Sequence, residues 1–303
     1  MLIPIKYITQ LLKKELPKLG TVLISYKCDN NCIFCAPSPK RNEKFGLTNE
    51  DIILWLRKCI EEKIFLVSIS GAGEPLLNKS IFEFIELLTQ NGIICFLYTS
   101  AQQINKNISK KLVQSGLKDV LVSIHGHNAD VHDSHTGNKG SFNKSMIGLK
   151  NLQNDGFYVQ TNSVITKGNI EYLDEMIDLL IVKNDVKEMA LSYPEIRGNM
   201  HNNNNFILRF EEIKDSLYNA VISINNLNRP VTVENVPFCI LPKSMYTQMP
   251  NVEIHYKDNT FDLIVKPNQK EKKINEACKM CVHKSSCPGI DINYPFEFCI
   301  NKF

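Results

Sequence analysis

The sequence predicts an α/β protein: a parallel β-sheet arranged as an open, partial (β/α)6 barrel of TIM-like type, followed by a small C-terminal α+β domain. Two observations predict this architecture. Short apolar runs alternate with amphipathic helical runs from residue 21 to about residue 193, the pattern of parallel strands joined by crossover helices. Of the ten cysteines, three lie in one loop after the first predicted strand and five lie beyond residue 238. Two separate cysteine groups therefore mark the two parts.

Each barrel unit begins with an apolar run of strand length. The six predicted strands span residues 21–26, 65–70, 93–98, 119–124, 158–165 and 188–193, and the predicted helices span residues 48–62, 81–90, 109–115, 142–155 and 170–181. Thr48 is a candidate N-cap with Asp51 at the third helical position, and glycines at 92, 116 and 156 mark helix ends. Because active sites of such barrels lie at the C-terminal ends of the strands, we expect functional residues in the segments that follow the strands.

Two segments flank the barrel, which we assign to residues 21–200. Residues 1–20 are expected to hold one helix, since their apolar residues recur at helical spacing. Residues 201–206 show no apolar periodicity and are interpreted as a linker. The C-terminal domain is assigned to residues 206–303. Its patterns predict a helix, a strand and a hairpin, at residues 210–226, 231–235, and 252–256 with 261–265.

Composition narrows the class of protein. Lys and Arg together number 35 and nearly balance 32 Asp and Glu, and no basic stripe is present, so nucleic acid is not an expected partner. No segment approaches the ~20 apolar residues that a membrane span needs, and Pro4 and Lys6 interrupt the apolar N-terminus. Ten cysteines without a signal peptide predict reduced thiols in the cytosol, so we expect a cytoplasmic protein.

The loop after the first strand carries Cys28, Cys32 and Cys35. A [4Fe–4S] cluster normally takes four cysteines, so three would leave one iron open to a substrate or cofactor, as in catalytic metal sites. A structural zinc site or a disulfide knot is the alternative. Three cysteines within eight residues, directly after an apolar strand, favour the cluster.

With Phe34 before the last cysteine, this loop resembles the signature of the radical S-adenosylmethionine (SAM) enzymes. The resemblance implies that SAM chelates the open iron through its amino and carboxylate groups. It implies a catalytic cluster on Cys28, Cys32 and Cys35 that reductively cleaves SAM to methionine and a 5′-deoxyadenosyl radical, which takes a hydrogen atom from the substrate. A reductant protein of flavodoxin or ferredoxin type is then an expected partner.

A glycine-containing loop follows the second strand. The resemblance implies that Ala72, Gly73 and Glu74 occupy the place of a Gly-Gly-Glu-like loop that contacts the amino group of SAM, with Ala72 in place of the usual first glycine. Alone, the loop is also compatible with an ordinary strand-to-helix turn. One β/α unit after the cysteine loop, it becomes a strong signal.

Three further SAM contacts are implied by position. Ser123, after the fourth strand, matches a residue that contacts the methionyl end of SAM. Asn162, in the fifth strand, matches a residue that contacts its ribose. Arg197, after the sixth strand, is a candidate partner for SAM or for a substrate carboxylate, although a solvent-facing arginine is equally compatible with the sequence.

Four histidines lie between residues 125 and 135. They permit a metal site, but the stretch also resembles a His-Asp-x-x-Thr-Gly-x-x-Gly-Ser-Phe segment of peptide-modifying radical SAM proteins. There it orders the turn into the next helix, which is the interpretation we favour. His125 or His127 is a candidate to face the substrate.

The C-terminal cysteines predict a second metal centre. The spacing of Cys278, Cys281 and Cys287 resembles the auxiliary-cluster domains called SPASM in full and twitch when shortened, and Cys239 completes four thiolates. Cys299 is the alternative fourth ligand. A zinc site of four cysteines is the alternative metal. Since Asp291 stands where the full domain has another cysteine, we expect one auxiliary [4Fe–4S] cluster.

The substrate is not determined by these motifs. A ribosomally made peptide is favoured, because the histidine segment and the C-terminal cysteines resemble those of peptide maturases. Residues 1–20 are too short for a separate peptide-binding domain, which counts against it. A small-molecule enzyme acting on a nucleotide, sugar or cofactor precursor is the alternative. A non-catalytic electron-transfer or zinc-binding protein is a third hypothesis, which the glycine loop disfavours.

Overall fold

The strands assemble around one parallel sheet, seen in a computed structural model of the chain. The structure describes residues 2, 4–7, 18–37, 46–241, 253–257, 262–265, 272–273, 276–284, 287 and 289–297. The main sheet has nine strands in the order β7-β6-β5-β4-β3-β2-β1-β8-β9. Strands β1 to β7 run in sequence order and pair in parallel with their neighbours. This confirms the predicted partial (β/α) barrel.

The seven parallel strands span Lys18–Leu23 (β1), Leu66–Ser70 (β2), Ile94–Thr99 (β3), Asp119–Ser123 (β4), Tyr158–Val164 (β5), Glu188–Ser192 (β6) and Val231–Glu234 (β7). The α-helices span Asn49–Glu61 (α1), Ile81–Gln90 (α2), Lys106–Gln114 (α3), Ala129–Thr136 (α4), Ser141–Asn154 (α5), Leu173–Ile177 (α6), Phe210–Asn226 (α7) and Glu276–Lys279 (α8). Short 3₁₀ turns and one π-helical turn, Asp178–Lys183, complete the connections of the barrel.

The sheet extends beyond the six predicted units at both edges. β7 pairs with β6 in parallel, although its residues fall in the range assigned to the C-terminal domain. At the other edge, β8 (Glu253–Lys257) pairs in parallel with β1 and in antiparallel with β9 (Asp262–Val265). The predicted hairpin therefore forms and is joined to the barrel sheet. A short antiparallel pair links β10 (Lys272–Lys273) and β11 (Ile290–Asp291).

Alternation along the strands separates an apolar convex face from a more polar concave face. Val22, Ile69, Leu97, Val122 and Leu191 belong to the main core that packs against the helices. Successive side chains of a strand point to opposite faces, so the residues between them line the concave side. Towards the C-terminal strand ends, that concave row consists of serine and asparagine: Ser70, Ser123, Asn162 and Ser192.

Residues near the N-terminus of the chain cover the end of the half-barrel at which β4 and β6 begin. The Tyr7 hydroxyl donates to Asp119 Oδ2 at 2.5 Å, and the amide of Ile5 donates to both carboxylate oxygens of Glu188 at 3.2 Å. Asp119 and Glu188 are the first residues of β4 and β6. Burial raises the pKa of Glu188 to about 7, although its hydrogen bonds oppose this. The site is therefore accessible from the C-terminal strand ends, as in complete barrels.

Two local predictions differ from the structure. β1 begins at Lys18 and ends at Leu23, three residues earlier than predicted. The Ile24 amide still donates to the carbonyl of Ser70, the last residue of β2, whereas the Ser25 carbonyl already accepts from Gly73 in the loop after β2. Helix α4 was not predicted, since its polar sequence lacks an apolar stripe. Most of the predicted N-terminal helix lies outside the described residues. Within the described part of the chain, no helix has the length and apolar character to cross a membrane.

Candidate functional site

The cysteine loop leaves the C-terminal end of β1. The side chains of Cys28, Cys32 and Cys35 are half-buried. The Asn30 amide donates to Cys28 Sγ at 3.5 Å, and the Cys35 amide donates to the Cys32 carbonyl at 3.1 Å. The structure thus places the three predicted ligands in one turn at the predicted end of the barrel.

The glycine loop after β2 packs directly on the chain that leads into the cysteine loop. The amide of Gly73 donates to the Ser25 carbonyl at 3.0 Å, and the amide of Glu74 donates to the Lys27 carbonyl at 2.7 Å. A Cβ atom at Gly73 would lie 2.1 Å from Lys27 O. Only glycine permits this approach. Ala72, which stands where the family usually has a glycine, is buried and does not take part in the close approach of Gly73 to Lys27.

The Glu74 carboxylate is buried and bonded within the chain. It is 3% exposed and accepts from Thr99 Oγ1 at 2.6 Å, from Ser100 Oγ at 2.7 Å and from the Ser100 amide at 2.8 Å. The Leu76 amide adds a fourth, longer bond. Burial raises the pKa of Glu74, and these hydrogen bonds act against the rise. The side chain therefore ties the glycine loop to the end of β3. Sequence reasoning did not single out Thr99 and Ser100.

Ser123 and Asn162 lie side by side on the concave face. They are partners in the β4–β5 register, and both are half-buried. Asn162 Oδ1 accepts from the Ser192 hydroxyl at 2.8 Å, which leaves the Asn162 amide nitrogen as a donor. Ser192 was missed by sequence analysis, although its place at the end of β6 and its alternation phase marked it as a concave residue.

Phe34 inserts its ring between the cysteine loop and the histidine segment. Its centroid lies 4.6 Å from that of His125 in an edge-on contact and 6.4 Å from that of His135. Amides of the cysteine loop bond to the end of α4: Asn31 to the Thr136 carbonyl at 2.8 Å and Ile33 to the His135 carbonyl at 2.9 Å. The loop therefore rests on α4.

The histidines are bonded within the protein core. His125 Nδ1 accepts from the Val164 amide, and His132 Nδ1 accepts from the His125 amide. His135 Nε2 lies 2.7 Å from Thr166 Oγ1. Burial lowers the pKa of His132 to about 4 and that of His125 well below its usual range. These rings are neutral packing groups, and His125, at 3% exposure, does not present a surface to a substrate. His127 is half-buried against Tyr172.

Asp133 orders the turn that follows the histidine segment. Its carboxylate accepts from the Gly140 amide at 2.5 Å, and from the Ser141 hydroxyl and the Phe142 amide at 2.8 Å each. These bonds lower its pKa against the effect of burial. Asp133 thus shapes the start of α5, in agreement with the turn-ordering role that the resemblance implies.

Arg197 stands apart from the concave row. Its side chain is 63% exposed and forms an ion pair with Glu195, with Arg197 Nε donating at 2.6 Å. Asn199, two residues further along, reaches the cysteine loop instead. Its backbone amide donates to the Cys35 carbonyl at 3.0 Å, and its Nδ2 donates to the Cys32 carbonyl at 2.8 Å. Asn199 was not anticipated from the sequence.

Four C-terminal cysteines lie close together. Burial raises the pKa of Cys239 to about 11, and the neighbouring thiols of Cys287, Cys278 and Cys281 contribute to the rise. The amides of Phe238 and Gly289 both donate to Cys287 Sγ at 3.4 Å. Cys239 is therefore a neighbour of the other three, whereas Cys299 lies outside the described residues.

In the described part of the chain, no three Cys, His, Asp or Glu side chains stand close enough to hold a metal ion.

Relatives of known function are similar to about half of the chain. The sequence is 31% identical over 160 residues to mycofactocin maturase MftC of Mycolicibacterium smegmatis, covering 52% of this chain and 40% of the relative. It is 27% identical over 164 residues to AdoMet-dependent heme synthase of Methanosarcina barkeri, covering 54% and 47%. The chain thus spans less than half the length of these two relatives.

Solved structures are similar over more of the chain. The crystal structure of Streptococcus suis SuiB bound to precursor peptide SuiA superposes with a TM-score of 0.70, covering 94% of this chain and 74% of that one at 17% identity. At this identity, the likeness concerns the fold. The model of the radical SAM superfamily matches residues 22–180, the segment that carries the cysteine loop, the glycine loop and every residue of the concave row except Ser192. Since this match covers more than half of the chain, the protein belongs to the radical SAM superfamily of enzymes.

Proposed function

We propose that this chain binds SAM and a [4Fe–4S] cluster on Cys28, Cys32 and Cys35 and abstracts a hydrogen atom from its substrate. The observation that carries the proposal is the packing of the glycine loop against residues 25–27, immediately before the first cysteine. When bound, the reduced cluster and SAM would supply a 5′-deoxyadenosyl radical, with methionine as the other product.

The tasks of the protein are to hold and orient these groups. In this proposal, the three cysteines ligate the cluster, and Phe34 sets the position of their loop against the buried histidines. The backbone of Ala72, Gly73 and Glu74 meets the amino group of SAM, while the Glu74 side chain fixes that backbone to β3. The close approach at Gly73 is a cradle that a side chain would fill.

The concave row supplies the remaining contacts to SAM. Ser123 is proposed for the methionyl end and the Asn162 Nδ2 group for the ribose, since the bond from Ser192 orients the amide with its nitrogen free to donate. Arg197 stays a candidate for a carboxylate of SAM or of the substrate, although its ion pair with Glu195 would first have to break.

We further propose an auxiliary [4Fe–4S] cluster of SPASM or twitch type on Cys239, Cys278, Cys281 and Cys287. The electrostatic interaction of Cys239 with each of the other three thiols supports it, and so do the amides directed at Cys287 Sγ. Residues 206–303 would form the domain around this cluster, with residues 21–200 forming the barrel, although β7 continues the barrel sheet. Such a cluster is a candidate electron acceptor or substrate ligand.

A ribosomally made peptide is the proposed substrate. Similarity to a maturase over 52% of the chain supports this choice, as does the fold shared with a protein bound to its precursor peptide. A flavodoxin- or ferredoxin-type protein is the proposed electron donor. The second candidate is a small-molecule substrate, which the similarity to a heme synthase over 54% of the chain favours.

Anaerobic reconstitution tests the proposal. The purified chain would be loaded with iron and sulfide, and its metal content and its production of 5′-deoxyadenosine from SAM and dithionite would be measured. We expect about eight irons per chain, the sum of two four-iron clusters, together with product. About four irons with tightly bound zinc would retain the barrel site and refute the auxiliary cluster. Iron without 5′-deoxyadenosine would refute the proposed reaction.

The substrate class needs its own measurement. Short peptides encoded by genes adjacent to the gene of this protein, and candidate small molecules, would each be added to the reconstituted enzyme. Each would carry deuterium at the carbons that are candidates for hydrogen abstraction. Transfer of deuterium into 5′-deoxyadenosine from a peptide supports the first candidate. Transfer from a small molecule alone supports the second.

A further inference from the structure

Two asparagine side chains hold the carbonyl side of the cysteine loop. Asn199 Nδ2 donates to the Cys32 carbonyl at 2.8 Å and to Asn31 Oδ1 at 3.1 Å. Asn203 Nδ2 donates to the Ile33 carbonyl at 3.1 Å. Both residues lie in the connection between β6 and α7, which sequence analysis interpreted partly as a linker. We call residues 198–203 the clamp.

The clamp also meets the loop through its backbone. The Asn199 amide donates to the Cys35 carbonyl at 3.0 Å. A Cβ atom at Gly198 would stand 2.3 Å from Cys35 O and 2.4 Å from Ala36 O, and Gly198 has a φ of +61°. Glycine is thus required for both the conformation and the approach, so the contact is built into the clamp and does not depend on flexible side chains alone.

The opposite side of the loop is bonded to α4. The amides of Asn31 and Ile33 donate to the carbonyls of Thr136 and His135, while the carbonyls of Cys32, Ile33 and Cys35 accept from the clamp. Peptide groups on both sides of the loop therefore have partners in the protein. Fixing the backbone of a loop costs conformational entropy, and these bonds offset that cost before any cluster binds.

We propose that Asn199 and Asn203 are positioning residues that keep the cysteine loop in its cluster-binding shape, so that the chain after β6 governs cluster retention. The inference rests on the proposed function of the three cysteines. It adds that β6 fixes the position of the cysteine loop relative to the concave row, because the same strand carries Ser192, which orients Asn162. The clamp joins these two parts of the site through one short connection.

The test compares Asn199→Leu with a matched control, Asn151→Leu. Asn151 is also half-buried, and its Nδ2 donates to the Ile104 carbonyl at 2.9 Å, so each variant loses an amide–carbonyl bond of similar length. Asn199→Leu also loses the longer bond to Asn31 Oδ1. Three quantities would be measured on the full chain: the melting temperature, amide hydrogen exchange of the apoprotein, and the rate at which an iron chelator removes the reconstituted cluster.

We expect both variants to lose similar thermal stability, while only Asn199→Leu changes the loop. Chelation of the barrel cluster should accelerate at least about fivefold, the factor that corresponds to about 1 kcal/mol, which is the net contribution of one hydrogen bond. Exchange of the Asn31 and Ile33 amides in the apoprotein should accelerate by a similar factor. The EPR spectrum of the reduced cluster should also change, which a general loss of stability would not cause.

Gly198→Ala provides a second perturbation that leaves both asparagines in place. The added methyl should push the clamp from the loop and reproduce the faster exchange and chelation. The inference is overturned when Asn199→Leu and Asn151→Leu show equal chelation and equal loop exchange. If the wild-type chain takes up no cluster, the proposed function fails, while amide exchange in the apoprotein still decides whether the clamp orders the loop.

Discussion

Replacement of Glu74 by alanine tests the most heavily bonded side chain near the glycine loop. The carboxylate is 3% exposed and accepts four hydrogen bonds, two from hydroxyls and two from backbone amides. After Glu74→Ala, the hydroxyls of Thr99 and Ser100 can rotate, but the amides of Ser100 and Leu76 keep their directions. The variant therefore strands two backbone donors.

The magnitude follows from those two donors. Each buried donor left unsatisfied costs about 1–3 kcal/mol, so we expect a loss of about 4 kcal/mol in the free energy of unfolding. For a chain of this size, 1 kcal/mol corresponds to about 2–4 °C, so the melting temperature should fall by on the order of 10 °C. The melting temperature of Glu74→Gln should fall by less, since the amide oxygen of glutamine can still accept a hydrogen bond.

Thermal unfolding, SAM binding by titration calorimetry and iron content would be measured on both variants. Glu61→Ala serves as the control, because Glu61 is exposed at the end of α1 and such changes stay within about 0.5 kcal/mol. SAM affinity should fall more than iron content, since the carboxylate supports the glycine loop and not the cysteines. A melting temperature within about 2 °C of the Glu61→Ala value would refute the hydrogen-bond reasoning. Equal losses of SAM binding and iron would show a general structural role.

Three further outcomes are expected. Cys32→Ala should abolish 5′-deoxyadenosine formation and keep roughly half of the iron, because the auxiliary cluster would stay; unchanged product would contradict the assignment. Cys239→Ala should remove only the auxiliary cluster, measured by iron content and Mössbauer spectroscopy, and if Cys299→Ala removes it instead, the ligand assignment is wrong. His132, with its pKa lowered from 6.5 to about 4 by burial, contributes stability as a neutral ring above pH 6.5 that is lost as pH falls towards 4. The free energy of unfolding would be measured by urea denaturation at pH 6.5 and at pH 5. Between these values the wild type should lose about 2 kcal/mol more than His132→Gln, at 1.36 kcal/mol per pH unit. Equal losses in the two proteins would contradict a buried neutral ring.

Much of the barrel could be predicted because its signals are local. Each strand is a short apolar run, and most helices carry an apolar stripe or a capping residue; Thr48 and Asp51 form the expected capping box. The cysteine loop and the glycine loop also carry their spacing within a few residues. The prediction failed at α4, whose sequence has little apolar periodicity. That helix is held by contacts such as the bond between His135 and Thr166, which local sequence does not record.

The C-terminal cysteines illustrate an intermediate case. The spacing of Cys278, Cys281 and Cys287 is a local pattern, and sequence alone predicted a metal centre there. The choice of Cys239 over Cys299 stays a prediction, because Cys299 lies outside the described residues. The amide of Phe238 donates to Cys287 Sγ across 49 positions of the chain, so the fold brings the next residue, Cys239, near Cys287.

Local sequence patterns were enough to predict the alternation of strands and helices, the cysteine loop and the family that it indicates. How that loop is held depends on contacts between distant segments. Asn203 donates to the Ile33 carbonyl across 170 positions of the chain, and the four asparagines at residues 202–205 look like a linker until β6 brings Asn203 to the loop. The physical reason is that helix and strand periods arise from neighbours along the chain, whereas a hydrogen bond between distant segments exists only once the sheet has brought them together.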